Sequence, residues 1–289
     1  MCIRDSGWTY GANSRYDEAG SEYVTWLWDA GTAASGANNN GSINIASGDQ
    51  WVNDTSGFSI TKFTGTGADA TFGHGQSAAP EFVIIKKYSA SAGWVVQHVG
   101  NTMGTGRLIL DENSANNNAY ADNYWNSTAP TSTLIHIGDH ANVNTSGATH
   151  ICYSWRSIPG YSKFGNWTGT GADPGPFIYL GFRPRYFLMK ELDDATNWVV
   201  YDSERDSGNP TMFYLFPNGT SANDTYDASG TDLSIDFLSN GVKIRNTNSG
   251  INASGDTYIY SAFAEHPYKT SRARSVSYTH LTLPTICSV

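Results

Sequence analysis

Thirty-six residues of this 289-residue chain recur 104 positions later without a gap, so its architecture must be one that can be built twice. Thr64-Gly65-Thr66-Gly67-Ala68-Asp69 returns as Thr168-Gly169-Thr170-Gly171-Ala172-Asp173, Pro80 as Pro184, Lys86 as Lys190, and Trp94-Val95-Val96 as Trp198-Val199-Val200. Eleven positions between Phe63 and His98 are identical to their counterparts, where typical composition gives roughly two by chance. Downstream, Gly147 to Trp155 aligns with Gly255 to Phe263 at an offset of 108, which places four extra residues in the loop of the second unit. A third copy of this ending stands at the front, from Gly20 to Trp28. A catalytic site needs one asymmetric set of groups, whereas repeated modules supply length, valency or a display surface.

The boundaries follow. Residues 57–160 and 161–274 read as two complete modules, and residues 7–56 as the truncated end of a preceding repeat plus linker. Residues 1–6 and 275–289 match no part of the repeat and resemble translated library-adapter sequence of the kind that flanks reading frames from environmental assemblies, so they carry no functional weight.

Within each module the sequence predicts short strands and little helix. Phe82-Val83-Ile84-Ile85 and Tyr186-Phe187-Leu188-Met189 are continuous apolar runs behind a proline, the pattern of a strand covered on both sides. Trp94, Val96 and His98 alternate with Val95 and Gln97, which predicts a strand with one buried face. Leu233, Ile235 and Phe237 alternate before Asn240-Gly241, the signature of a hairpin closed by a type I′ turn. The Thr-Gly-Thr-Gly-Ala-Asp segments read as loops after each module's first strand. The expected fold is all-β, as tandem antiparallel β-sandwich modules of jelly-roll or lectin-like form.

Composition narrows the partners. The net charge is -9 with no block of Lys or Arg, which argues against nucleic acid and anionic lipid. No apolar stretch reaches the length of a membrane span, and no hydrophobic start marks a secretion signal. Of three cysteines only Cys152 falls inside a module, on an apolar strand, where it reads as a small buried hydrophobe. No cofactor motif is present: the Gly-rich segments are followed by strand-like sequence rather than the helix a phosphate loop needs.

The candidate contact residues are loop aromatics set among amides, where flat rings stack and amides bond hydroxyls. They are Tyr120, Tyr124 and Trp125 in the Asn-rich stretch from Asp111 to Pro130, and Tyr226 in the stretch from Phe216 to Ser229. Trp94 and Trp198 read as core. Glu191, Asp193, Asp202, Glu204 and Asp206 cluster in sequence, and a pair such as Glu191 and Glu204 is the one arrangement that could hydrolyse a glycoside. Their counterparts Lys87, Ser89, His98, Gly100 and Thr102 do not keep the pattern, so the cluster reads as a solvated edge and no catalytic residue is assigned. His136 and His140 around Asp139 lack further ligands at a recognisable interval, His74 between two glycines reads as a turn, and no metal site is assigned.

Gly57-Phe58-Ser59-Ile60, Thr64-Gly65-Thr66-Gly67, Gly73-His74-Gly75, Ala78-Ala79-Pro80 and Trp94-Val95-Val96 resemble a domain of unknown function common in tail and other structural proteins of marine tailed bacteriophages. Tyr161-Ser162-Lys163-Phe164-Gly165, Gly181-Phe182-Arg183-Pro184, Phe237-Leu238-Ser239-Asn240-Gly241 and Ala262-Phe263-Ala264-Glu265-His266-Pro267 are similar to its later parts. The resemblance covers nearly everything from Tyr23 to Arg274. It implies a noncatalytic component of the virion, in the tail or a tail fibre, assembled in the host cytoplasm as a homo-oligomer. Other virion proteins and host-surface glycan are the partners it implies. A carbohydrate-binding lectin-like module is the alternative reading, and a polysaccharide depolymerase the third.

Overall fold

The apolar runs behind Pro80 and Pro184 become the middle strands of two sheets that share a core. The computed structural model describes residues 19–20, 23–219 and 233–266. In the first half the strands are β1 (Thr32–Ala33), β2 (Gln50–Asn53), β3 (Phe58–Thr64), β4 (Ala70–Gly73), β5 (Phe82–Lys87), β6 (Trp94–His98), β7 (Leu108–Ile109), β8 (Leu134–Ile137) and β9 (Thr149–Trp155), with short helices α1 (Ala121–Trp125) and α2 (Ala141–Asn144). The second half has β10 (Ser162–Thr168), β11 (Phe177–Tyr179), β12 (Pro184–Glu191), β13 (Val199–Asp202), β14 (Tyr214–Leu215), β15 (Ile235–Leu238), β16 (Gly241–Ile244), helix α3 (Ser249–Asn252) and β17 (Thr257–Ala264). All strand pairs are antiparallel, and no described helix is long and apolar enough to cross a membrane.

The first large sheet runs β1-β2-β3-β9-β5-β6-β7, and the second runs β10-β17-β12-β13-β14. From β3 and β10 onward the two orders correspond strand for strand. The registers correspond too: Phe63 lies opposite His150 and Ile85 opposite Cys152 in the first half, Trp167 opposite Tyr258 and Met189 opposite Tyr260 in the second. Residues 32–53, read from sequence as the end of a repeat plus linker, instead supply β1 and β2 to the first sheet.

Alternation along each strand builds three apolar layers between four sheets. Val83, Ile85, Val95 and Cys152 face β4, β8 and α1, packing with Phe72, Ile135, Ile137 and Trp125. Phe82, Ile84, Val96 and Trp155 face the other way, onto Phe164, Leu188, Trp198, Val200, Ile259 and Phe263 of the second half. Phe187, Met189, Tyr201, Tyr258 and Tyr260 then cover the small sheet β11-β16-β15 through Ile178, Ile235, Phe237 and Val242. The halves are therefore stacked on one another through their large sheets, not strung as separate beads. Each buried side chain of this size contributes about 1.5–3 kcal/mol by leaving water.

Three local expectations change. The Trp94 to His98 strand is covered on both faces, because Val95 and Gln97 are as buried as Val96 and His98. Tyr23 to Trp28, aligned with the ends of β9 and β17, forms no strand; Trp28 instead lies edge-on to Trp155, Tyr186 and Phe263, closing one end of the shared core. The hairpin at Asn240 exists, but its two-residue loop is Ser239-Asn240, with Leu238 already opposite Gly241 and no positive φ at Asn240. Glycine is needed at Gly241 for another reason: a Cβ there would meet the Ile178 carbonyl oxygen of neighbouring β11 at 2.1 Å.

Candidate functional site

The Asn-rich loop does not present its aromatics as expected. Tyr124 and Trp125 lie on α1 and are buried; Trp125 Nε1 donates to the Gly106 carbonyl oxygen at 2.9 Å. Tyr124 stacks on His140 with ring centroids 4.0 Å apart, and its hydroxyl lies 3.0 Å from His140 Nε2. Neither ring can stack on a ligand, because a five-residue helix turns both inward from a segment whose amides suggest solvent. Tyr120 is exposed beside the Arg107 guanidinium, which sits 5.7 Å from its ring. Tyr226 lies outside the described residues.

His140 and His74 hold local structure in place. His140 caps α2, Nδ1 accepting from the Asn142 amide at 3.1 Å. His74 is fully buried with Nε2 3.2 Å from the Thr131 carbonyl oxygen, and burial holds its pKa below the usual histidine value. Among the carboxylates, Asp202 accepts from Trp26 Nε1 at 2.8 Å, Asp206 accepts from the amides of Met212 and Phe213, and Glu204 pairs with Arg185 on the surface. Arg185 stands near the start of β12 and Glu191 ends it. Six residues of strand separate these points by roughly 20 Å, so Glu191 and Glu204 do not form a glycosidase pair.

Two arrangements emerge that the sequence reading missed. The first is a cleft beside the edge strand β11. Ile178 points into the core, so its neighbours Phe177 and Tyr179 point out, and both are exposed. Lys163 Nζ sits 5.2 Å from the Tyr179 ring centroid and donates to the Tyr179 carbonyl oxygen at 2.7 Å, fixing the ring's flank. Next to Tyr179 opens a cavity of about 470 Å³ lined also by Arg183, Ser239, Glu265 and His266. Arg183 and Glu265 are ion-paired at 3.1 Å, and Arg183 also donates to the Phe237 carbonyl oxygen, which fixes the pair in the cleft wall. A flat ring beside paired charges and a hydroxyl suits a hydroxyl-rich ligand of modest size. The run Phe177-Ile178-Tyr179-Leu180 looks wholly buried in sequence; every second side chain is exposed because only one face of the sheet β11-β16-β15 packs on the core.

The second arrangement lies at the other end of β12. The carboxylates of Glu191, Asp194 and Asp256 each place an oxygen within 4.8 Å of the others. Glu191 is fully buried and neither carboxylate oxygen has a hydrogen bond of normal geometry, with the Thr196 hydroxyl and the Asp256 carboxyl as the side chains that act on it. Burial, reinforced by the facing Asp256 and Asp194, pushes its carboxyl up to about 7. The Lys190 ammonium lies close by but donates to the carbonyl oxygens of Glu191 (2.7 Å) and Asp194 (3.3 Å) and to the Thr196 hydroxyl (3.4 Å). Burial pulls its pKa down to about 8. The sequence signal for this cluster was Glu191 alone; Asp256 is joined to it only by the pairing of β12 with β17.

The chain belongs to the family described as Domain of unknown function (DUF7483), which matches residues 1–267 and so spans both halves. No curated protein and no solved structure matches it.

Proposed function

We propose that this DUF7483 chain is a noncatalytic structural component of a tailed-phage virion, in the tail or a tail fibre, made of duplicated β modules that assemble the particle and meet the host surface. The observation that carries this reading is the stacking of two halves with the same strand order and register through one shared apolar layer. That arrangement supports duplication of one ancestral unit and makes a stiff block whose outer sheets and loops face away, as a load-bearing or display element requires. Antibody raised against the chain and applied to purified particles of a phage that encodes it is the test. Gold label on the tail is expected; label confined to the soluble lysate, with bare particles, would overturn the assignment.

A lectin-like reading is favoured by one observation, the exposed Phe177 and Tyr179 beside the charged cleft. Stacking of a sugar on Tyr179 is expected to contribute most of the affinity at such a site. Tyr179→Ala is therefore predicted to weaken saccharide binding on a glycan array at least tenfold in apparent affinity, while shifting stability by no more than about 0.5 kcal/mol because the ring is exposed. Equal glycan signals from both proteins would remove this cleft from consideration.

A further inference from the structure

We propose that Glu191, Asp194 and Asp256 bind a hard divalent cation of the calcium class. Three carboxylate oxygens within 4.8 Å of one another match the span of ligands around a single such ion, which takes oxygens at about 2.3–2.6 Å on all sides. The ligand atoms are all oxygens, with no imidazole or thiol, which disfavours zinc and copper. Two of the three sit on turns, Asp194 after β12 and Asp256 before β17, and such flexible supports suit calcium better than the rigid octahedron of magnesium.

The buried member points to a ligand independently of the cluster. Glu191 is fully buried and neither of its oxygens makes a well-formed hydrogen bond, although the Thr196 hydroxyl and the Asp256 carboxyl act on it; one of those oxygens lies within 4.8 Å of an oxygen on each of the other two carboxylates. A buried carboxyl is ordinarily hydrogen-bonded, and its charged form is paired or bound to metal. Lys190 does not serve, since its three donors are taken by two carbonyl oxygens and a hydroxyl.

The first half supplies a comparison. The register that sets Glu191 opposite Tyr258 sets Lys87 opposite His150, and where the second half has Asp194 and Asp256 the first has Ala90 and Ala148. All three carboxylates are thus absent together, and a cationic side chain stands in place of the buried acid. The fold does not require acids here, so their joint presence in the second half calls for a reason of its own.

Terbium luminescence tests the site in the whole chain, because Tyr258 lies opposite Glu191 and stacks on Trp167 at 5.0 Å, giving an antenna beside the carboxylates. Excitation of these rings is expected to give saturable terbium emission with one ion per chain, displaced by calcium and only at tenfold or higher concentration by magnesium. Asp256→Asn and Asp194→Asn, both reachable by solvent, are expected to weaken binding at least tenfold, and Glu191→Gln likewise; Asp122→Asn in the first half should bind as the parent does. Calcium should also raise the melting temperature of the parent and not that of Asp256→Asn. No saturable emission from the folded parent, or emission unchanged in Asp194→Asn and Asp256→Asn, would overturn the site. Displacement by magnesium as readily as by calcium would overturn the calcium assignment. If Glu191→Gln fails to fold, Asp194→Asn and Asp256→Asn decide the matter.

Discussion

The two halves agree where a strand must find its neighbour and differ where one half must fit the other. The order and register from β3 to β7 recur from β10 to β14, and so does the loop after the leading strand. The outer layers diverge: the first half covers its large sheet with α1 and the pair β4-β8, the second with the three strands β11-β16-β15. At the shared core Trp198 is fully buried and donates from Nε1 to the Ile109 carbonyl oxygen of the first half at 2.9 Å. Its counterpart Trp94 stays half-buried at the rim, beside Lys86 and stacked on Tyr153. Backbone pairing tolerates two copies of one pattern. A face-to-face interface between those copies needs different side chains at matching positions, so the same residue carries different weight in each.

That contrast is sharpest in the tryptophans. Trp198→Ala opens a cavity in the layer that joins the halves and removes the shorter of two hydrogen bonds to the Ile109 carbonyl oxygen, which keeps the one from the Glu112 amide, and should cost about 4 kcal/mol. Trp94→Ala should cost about 1–2 kcal/mol, since solvent already reaches its ring. Urea unfolding of both variants measures the difference. Equal losses would mean that the central layer is no more stringent than its rim.

His98 and Asp202 occupy matching positions four residues beyond these tryptophans. His98 is buried among Phe82, Phe164 and Ser261, and no charged side chain contributes to its shift. Nδ1 accepts from the Gly100 amide at 3.0 Å, which leaves the ring neutral with its proton on Nε2. Burial pulls its pKa down to about 3 from an ordinary 6.5. The unfolded chain therefore binds a proton between those values that the folded chain refuses, and stability falls as the pH drops below about 6.5. At pH 4.5 the loss is about 3 kcal/mol at most. Other histidines, His74 and His150 among them, are shifted the same way, so the parent is compared with His98→Gln, whose unfolding free energy should vary less over this range. Parallel curves for the two proteins would show that His98 takes no part.

Much of this architecture was legible. The apolar runs at Phe82 and Tyr186 reported correctly that both faces are covered, because an uninterrupted run leaves no polar side for water. They could not report what covers them, and the shared core between halves stayed hidden for that reason. Tyr124 and Trp125 were misplaced because Asn and Asp around them outweighed a helix too short to show periodicity. The alternation at Trp94 suggested one wet face only because His98 and Gln97 are polar; the fold buries them both. Glu191 gave a single acidic position, whereas its grouping with Asp256 depends on strand pairing 65 residues away.

The smallest effect comes from the element that is most alike in the two halves. Asn144 accepts from the Thr66 amide at 2.7 Å and donates to the carbonyl oxygens of Ala68 (2.6 Å) and Gly138 (3.0 Å). Asn252 accepts from the Thr170 amide at 2.7 Å and donates to those of Ala172 (2.9 Å) and Asn246 (2.8 Å). Each asparagine ends a one-turn helix and pins the Thr-Gly-Thr-Gly loop, whose Gly67 and Gly171 take positive φ values of 76° and 64° that a side chain would strain. Both loops are partly open to water, which can replace some of the lost bonds, so Asn144→Ala and Asn252→Ala should each cost about 1–2 kcal/mol. The two losses should agree within about 0.5 kcal/mol, since each side chain makes two bonds to the same loop and a third to a carbonyl six residues before it. A difference well beyond that would show that the surrounding outer layers, unlike in the two halves, reach further into this shared device than its geometry suggests.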